Sequence, residues 1–511
     1  MDDLSSFNQT MRRQDEETNA QMLAAQYSVP YINLIGYPIA PDILSIIPQE
    51  LAVKYNSIAF MRAQNKVHVA ILTPENPEMI KFLQELAVKT KYEFAFVLCS
   101  PASINHALEL YKTLKPDQSS HSSDQIDTSQ TSADDILKDV KNLTDLKDKI
   151  KTISTTQLLD VIFGGAVKID AADIHLEPAE NGVRIRYRID GVLQEVAILP
   201  LDVYKSLNSR IKFLSNLKLD VKTTPQDGRF SIKTGPTDTI DIRISTMPAA
   251  YGEIIDMRLL NSKDEIVDLA NLGIRPDALA LIEEAVAKPN GLVLNTGPTG
   301  SGKTTTLYAI LNKLNKPGIK IITLEDPIEY KIPNIDQVQI NAEKGYTFAA
   351  ALRASLRQDP NIIMVGEMRD KETAEIGLQA AMTGHLVLST LHTNNAPASL
   401  GRLMDMGIEP YLLAGSINLI IAQRLVRKVC VSCKGKGCSI CNHTGFKGRI
   451  AIIECLKPND VINNLIIRKA PLSEFLKVAK QEGMKTMEED GMEKVAQGIT
   501  TKEEILRVTQ E

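Results

Sequence analysis

The 511-residue sequence contains no Trp, and aromatic residues make up only 5% of it. Stacking platforms of the kind that hold single-stranded nucleic acid are therefore not a theme of the chain. Six cysteines are too few for a disulfide-built secreted fold of this length. No apolar run approaches the roughly 18 residues that a membrane-spanning helix needs. The first 26 residues are polar and lack the basic-then-apolar order of a secretory signal, so a cytoplasmic protein is expected. Nor is there an excess of positive charge: 58 Lys+Arg against 63 Asp+Glu leave a net −5. That balance argues against a protein that coats nucleic acid. What is present, 43% hydrophobic and 24% charged residues, describes a globular chain. At roughly 150 residues per domain, three domains are expected.

The clearest boundary is residues 115–135, a run of Ser, Asp, Gln and Thr with Ile126 as its only sizeable apolar residue. Such a segment cannot bury enough apolar surface to offset its ordering entropy, and a flexible linker is expected there. It separates a polar tail (1–26) and a small α+β domain (27–114) from the rest. Within that domain Lys66–Leu72 and Glu93–Cys99 read as strands, and Pro77–Ala87 carries apolar residues at helical spacing. From about 136 to 265 segments alternate at period two. In Gly182–Gly191, Val183, Ile185, Tyr187 and Ile189 share one face and Arg184, Arg186 and Arg188 the other, before an Asp190-Gly191 turn. From about 266 to 511, short apolar strands alternate with longer helical stretches, the pattern of a parallel α/β sheet.

The most specific motif is Gly297-Pro-Thr-Gly-Ser-Gly-Lys-Thr304, a G-x-x-x-x-G-K-[ST] sequence preceded by a strand, Gly291–Thr296, and followed by a helix from Thr305. Its glycines let backbone N–H groups converge on phosphate oxygens, aided by the helix N-terminus. Gly297, Pro298, Thr299, Gly300, Ser301, Gly302, Lys303, Thr304 and Thr305 are the expected nucleotide-binding residues. Lys303 is expected to reach the β- and γ-phosphates, and the Thr304 hydroxyl to ligate Mg²⁺.

Phosphoryl transfer to water also needs acidic groups. Glu325 follows the strand-like Ile321–Leu324, and Glu367 ends the apolar run Ile362–Val365, with Gly366 where a metal-binding Asp is usual. Magnesium is then expected on Glu367 by way of water, leaving Glu325 as the better candidate for the base. Each carboxylate has a plainer reading as a helix cap. His392 emerges at the end of a core strand, Leu386–Leu391, as either a hydrogen-bonded structural residue or a γ-phosphate sensor. Arg229 and Arg243 stand outside any core pattern; they are solvated strand-face residues or arginine fingers for a γ-phosphate. Cys430, Cys433, Cys438 and Cys441 form C-x₂-C-x₄-C-x₂-C with glycines between the pairs, the spacing of a closed structural Zn²⁺ site. Cys99 and Cys455 lie in apolar contexts and are expected to be inert.

Taken together, these segments resemble the secretion-ATPase superfamily. Gly297–Thr306, Leu324–Glu329, Val365–Asp370 and Ser389–Asn394 correspond to its Walker A, Asp box, Walker B and His box. Ala172–Pro178, Arg186–Gly191, Thr224–Phe230 and Asp241–Thr246 resemble its preceding PAS-like domain. The four-cysteine insertion at about 428–445 and the tail motifs Gly483–Gly491 and Gly498–Glu504 are similar to the assembly ATPases of type II secretion and type IV pili, rather than to pilus-retraction ATPases.

The resemblance implies an α/β fold: a RecA-like P-loop ATPase domain, preceded by a PAS-like α+β domain and a small N-terminal α+β domain. It implies ATP on Lys303 and Thr304, hydrolysis and magnesium on Glu325 and Glu367, phosphate sensing by His392, arginines 229 and 243 acting from the PAS-like domain, and zinc on the four cysteines. It further implies a homohexamer, peripheral at the cytoplasmic face of the inner membrane, acting on a membrane platform protein to extend a pilus or pseudopilus. An adaptor is expected on residues 27–114. These resemble only the later half of the family's N-terminal domain; the earlier half, which opens its cyclic-di-GMP motif, has no counterpart here. Two other readings remain: a hexameric nucleic-acid translocase on the same core, which acidity and scarce aromatics disfavour, and a non-catalytic nucleotide-gated scaffold, which the presence of Lys303, Glu325 and Glu367 disfavours.

Overall fold

The structure is a computed structural model. It describes residues 16–111, 126–127, 140–152 and 155–510, apart from 28, 36, 38, 40, 64–65, 91, 141, 234–238 and 262–266. Among the described residues three sheets organise the chain. The first comprises β1 (Ser57–Ala63), β2 (Lys66–Ile71) and β3 (Glu93–Leu98), with β1 antiparallel and β3 parallel to β2. Helices Pro77–Thr90 and Pro101–Leu110 flank it, over a core that includes Val67, Val69, Leu83 and Leu98.

Two segments differ from the expected layout. Residues 16–27 form a helix rather than part of a polar tail, because Ala20 and Ala24, one turn apart, are buried. Glu17 anchors this helix by accepting from the Ser100 hydroxyl at 2.6 Å. Most of the expected linker (115–135) lies outside the described residues. Within it Ile126–Asp127 form a two-residue strand, β4, parallel to the second sheet.

That second sheet has the order β4-β8-β9-β10-β5-β6-β7, formed by β5 (Ala171–Ala179), β6 (Gly182–Ile189), β7 (Val192–Leu199), β8 (Gln226–Lys233), β9 (Thr239–Ala249) and β10 (Gly252–Asn261). Its pairings beyond β4 are antiparallel. The alternation in β6 is realised: Val183, Ile185, Tyr187 and Ile189 are buried against helices Thr155–Lys168 and Leu201–Leu214. The Tyr187 hydroxyl donates to Ile162 O at 2.6 Å. On the other face Arg186 pairs with Glu177, and Arg188 with Asp173 at 2.8 Å.

The third sheet has the order β13-β12-β14-β15-β11-β16-β17. Its strands are β11 (Gly291–Thr296), β12 (Ile321–Glu325), β13 (Asp336–Gln339), β14 (Ile362–Val365), β15 (Leu386–Leu391), β16 (Ile417–Val429) and β17 (Phe446–Leu456). The first six in that spatial order run parallel, and β17 returns antiparallel to β16. Every residue of β11, β12, β14 and β15 is buried, because helices cover both faces, and this is why these strands read as unbroken apolar runs. In such an open sheet the carboxyl ends of the strands line the ligand crevice. No helix among the described residues is long and apolar enough to cross a membrane.

Candidate functional site: the nucleotide crevice

β11 ends at Thr296, and Gly297–Gly302 loop over to the helix Lys303–Leu314. Two glycines are required by close approach. A Cβ on Gly297, whose φ is +150°, would fall 2.5 Å from Gln423 O, and one on Gly302, at φ +88°, would fall 2.8 Å from Gln423 Nε2. Lys303 Nζ donates to Gly297 O at 2.7 Å and Pro298 O at 3.0 Å, so it lies curled inside the loop. Burial lowers its pKa to about 8, against the opposing pull of Glu367. Ser301 is buried, and its Oγ has no hydrogen-bond partner within the protein. Thr304 and Thr305 are exposed on the first helical turn. A cradle of backbone amides, an orphaned buried hydroxyl and a lysine in the loop fit a phosphate chain.

Three adjacent strands, β14, β15 and β11, deliver their terminal residues to one place. Glu367, just past β14, lies 3.6 Å from Nε2 of His392, which follows β15. Its other oxygen takes Arg369 at 2.6 Å. The His392 pKa is lowered by burial and then by the Lys303 charge, while Glu367 pulls it back. Thr393 fastens the histidine loop to the P-loop strand: its N–H donates to Thr296 Oγ1 at 2.9 Å. Lys303, Glu367 and His392 thus form one electrostatically coupled group, with Thr304 beside Lys303 on the first helical turn.

Glu325 has its own set of hydrogen-bond partners. Its buried carboxylate accepts from Thr323 Oγ1 at 2.5 Å, from Gln337 Nε2 at 3.2 Å and from the Tyr308 hydroxyl. Tyr308 projects from the P-loop helix and meets the Tyr330 ring edge-on, with centroids 4.6 Å apart. Three donors from three elements thus hold the Glu325 carboxylate.

Arg229 and Arg243 face the edge of the ATPase sheet instead of the P-loop of their own chain. Arg243 Nη2 donates to Ile328 O at 2.9 Å, and Nη1 lies 3.5 Å from Glu329. Both arginines line a cleft of about 2010 Å³, walled on the other side by Pro327–Ile332. The second sheet therefore grips the loop that follows Glu325.

The β16–β17 hairpin carries the four cysteines at its tip, and their sulfurs lie within 4.8 Å of one another. Measured Sγ···Sγ separations are 4.0 Å for Cys430–Cys438 and 3.7 Å for Cys433–Cys441 and Cys438–Cys441. A tetrahedron with Zn–S of about 2.3 Å has edges of about 3.8 Å. Backbone N–H groups of Gly437 and Cys438 donate to Cys433 and Cys441 sulfurs at 3.2 Å, as thiolates require. The donor set fits zinc, with His443 exposed and surplus. By contrast, burial pushes the thiols of Cys99 and Cys455 up to about 12, which leaves them unreactive.

Three residues escaped the reading of the sequence. Tyr308 looks like an ordinary apolar-face helix residue. Gln423 and Arg424 left a signal: a polar pair inside the otherwise apolar run Leu419–Val426 is the informative kind of buried residue. Gln423 Oε1 accepts from Asn295 Nδ2 at 3.2 Å and Thr306 Oγ1 at 2.8 Å, and so forms the floor of the P-loop.

A P-loop on a doubly covered parallel sheet, with acidic and histidine residues at neighbouring strand ends, defines a P-loop nucleoside triphosphatase. Residues 148–507 match the family described as type II/IV secretion system protein, and residues 27–117 match the MshEN domain. The chain is 39% identical to the type IV pilus assembly ATPase PilB of Myxococcus xanthus, an alignment covering 96% of this chain and 91% of that one. It is 44% identical to the type II secretion system protein HxcR of Pseudomonas aeruginosa, over 75% of this chain and 83% of that one. The solved structure of the Legionella pneumophila ATPase DotB, at 24% identity, covers 70% of this chain and 97% of its own with a TM-score of 0.55, a likeness of fold. The chain belongs to the type II/IV secretion system protein family, and its enzyme class is that of the family's ATP hydrolases.

Proposed function

We propose that this chain hydrolyses ATP to drive assembly of a type IV pilus or a type II secretion pseudopilus. The observation that carries this reading is the convergence of Lys303, Glu367 and His392 at three neighbouring strand ends beside an intact P-loop. ATP is held by the 297–305 backbone, with Lys303 on the β- and γ-phosphates. The Thr304 hydroxyl and, through water, Glu367 would hold magnesium, which would supply charge neutralisation at the phosphates. Glu367 orients the attacking water and takes its proton. His392 Nε2 donates toward the γ-phosphate and carries its loss to the loop behind it. Glu325, with its carboxylate committed to three donors, holds the 326–331 loop in place.

Arg243, which holds that loop from the 136–265 domain, and Arg229, which lines the cleft beside it, serve the reaction through that loop, so that nucleotide state is coupled to domain position. Zinc on the four cysteines is structural. The reading extends to a homohexamer at the cytoplasmic face of the inner membrane, a platform protein as the moved partner, and residues 27–114 as the docking surface for an adaptor. The similarity to PilB over nearly the whole chain supports the pilus arm, and the similarity to HxcR the secretion arm. The test is phosphate release by the full chain with MgATP, paired with fibre formation in cells carrying Lys303→Ala. Loss of both supports the reading; fibres built normally by a chain that cannot hydrolyse ATP would sink it.

A further inference from the structure

Arg424 lies in the middle of the buried strand β16, 5% exposed, directly beneath the P-loop. A Cβ on Gly297 would come within 3.1 Å of its Nη1, so the guanidinium packs against the first P-loop glycine. Nη1 donates to Gln423 O at 3.1 Å. Nη2 reaches the other way, to Asn394 O at 3.2 Å and Asn394 Oδ1 at 3.4 Å. Asn394 is two residues beyond His392. One planar cation thus joins β16, beside the first P-loop glycine, to the loop that carries the histidine.

The rest of that loop is pinned from other sides. Thr393 is bonded to Thr296, Asn395 caps the helix Ala396–Asp405 through Ala398 N at 2.8 Å, and Glu454 Oε1 accepts from Ala396 N at 2.7 Å. Gly297 N also donates to Leu391 O at 3.4 Å, but among the side-chain ties Arg424 is the one that packs against Gly297 and reaches past His392 to Asn394. Nη1 and Nη2 hold Gln423 O and Asn394 in the fixed directions of a planar guanidinium, so a shift is transmitted rather than absorbed. Lysine cannot bridge two acceptors in this way.

We propose that Arg424 is a positioning residue that fixes the His392–Asn394 loop against Gly297, so that phosphate occupancy of the P-loop is delivered to His392. This rests on the ATP-site reading above. The two are separated by reading binding, exchange and turnover on the same full-length proteins: wild type, Arg424→Gln, Arg424→Lys, His392→Asn and the Arg424→Gln/His392→Asn double variant. The probe is a non-hydrolysable ATP analogue with magnesium. In the wild type the analogue is expected to slow amide hydrogen exchange across 392–396. Arg424→Gln should bind the analogue within about threefold of wild type yet lose that protection, with kcat reduced at least about tenfold and KM little changed. Arg424→Lys should fall between, and it carries the comparison if the Gln variant does not fold. Adding His392→Asn to Arg424→Gln should cost no further turnover.

Protection that persists in Arg424→Gln overturns the proposal, as does a double variant whose loss is the product of the single losses. Loss of analogue binding in both Arg424 variants overturns it too, since Arg424 would then be a ligand contact. If the wild type itself fails to bind the analogue, the nucleotide reading falls instead.

Discussion

Asn442, inside the four-cysteine loop, accepts on Oδ1 a hydrogen bond from Leu143 N at 2.8 Å, across 299 residues of chain. Leu143 opens the helix Leu143–Thr152, whose N–H groups at 144 and 145 are already taken by Asn142. A second tie joins the same hairpin to the second sheet: Gly448 N donates to Asp190 Oδ2 at 2.9 Å. The four-cysteine hairpin is therefore a bracket between the ATPase sheet and the sheet that carries Arg229 and Arg243.

Removal of zinc should open that bracket without unfolding the ATPase core. Two hydrogen bonds at about 1 kcal/mol each correspond to a shift of more than tenfold in docking. Chelation, or paired Cys430→Ser and Cys433→Ser, is expected to speed hydrogen exchange across 143–152 while exchange across β11 and β15 stays slow. Unchanged exchange at 143–152 in the metal-free protein would contradict the bracket.

Lys303 makes nucleotide binding depend on pH. Its pKa is lowered to about 8, chiefly by burial, and phosphate requires the protonated form. Affinity should be flat below that value and fall as pH rises through it, to roughly a tenth at pH 9 of its value at pH 7. Equilibrium binding of the ATP analogue across pH 6.5–9.5 (about three units) checks this, and Lys303→Arg should remove the slope.

A buried ion cluster stabilises the ATPase domain near its C-terminus. Asp490, 1% exposed, accepts twice from Lys494 at 2.8 Å and from Ile453 N at 2.7 Å, with Arg275 Nη1 3.7 Å away. Asp490→Ala leaves buried Lys494 and the Ile453 N–H without their acceptor, while Arg275 keeps Asp277 and Ile453 O. A loss of about 3–5 kcal/mol is expected in denaturant unfolding, against less than about 1 kcal/mol for exposed Glu283→Ala.

The P-loop tolerates no side chain at its first glycine. Gly297→Ala would drive a Cβ into Gln423 O, a backbone atom that cannot yield, at a φ of +150°. The variant should fold through its other contacts but lose analogue binding by at least about tenfold. Gly300→Ala meets nothing within 4 Å and suffers only its positive φ, so it should bind better than Gly297→Ala.

What the sequence reveals and what it hides follows from the range of the forces involved. Strands β6, β11 and β15 were legible because alternation or unbroken apolarity records which faces are buried. The P-loop and the cysteine tetrad were legible because their chemistry fixes their spacing. The company each carboxylate keeps was not. Glu325 and Glu367 both follow apolar strands, yet Tyr308, Thr323 and Gln337 claim the first, and Arg369 and His392 flank the second. Those partners come from separate elements, and only the packed sheet decides which carboxylate faces the lysine. The helix at 16–27 was missed because two alanines bury it, too faint an apolar signal beside its charged neighbours.

The most direct test compares steady-state phosphate release from MgATP by the wild type, Glu367→Gln and Glu325→Gln. The wild type should turn over, and Glu367→Gln should bind nucleotide but lose at least about a hundredfold in kcat. Glu325→Gln, which keeps an acceptor for Tyr308, should retain measurable turnover. A Glu367→Gln protein that hydrolyses ATP at the wild-type rate, while Glu325→Gln does not, would contradict the site proposed for this ATPase.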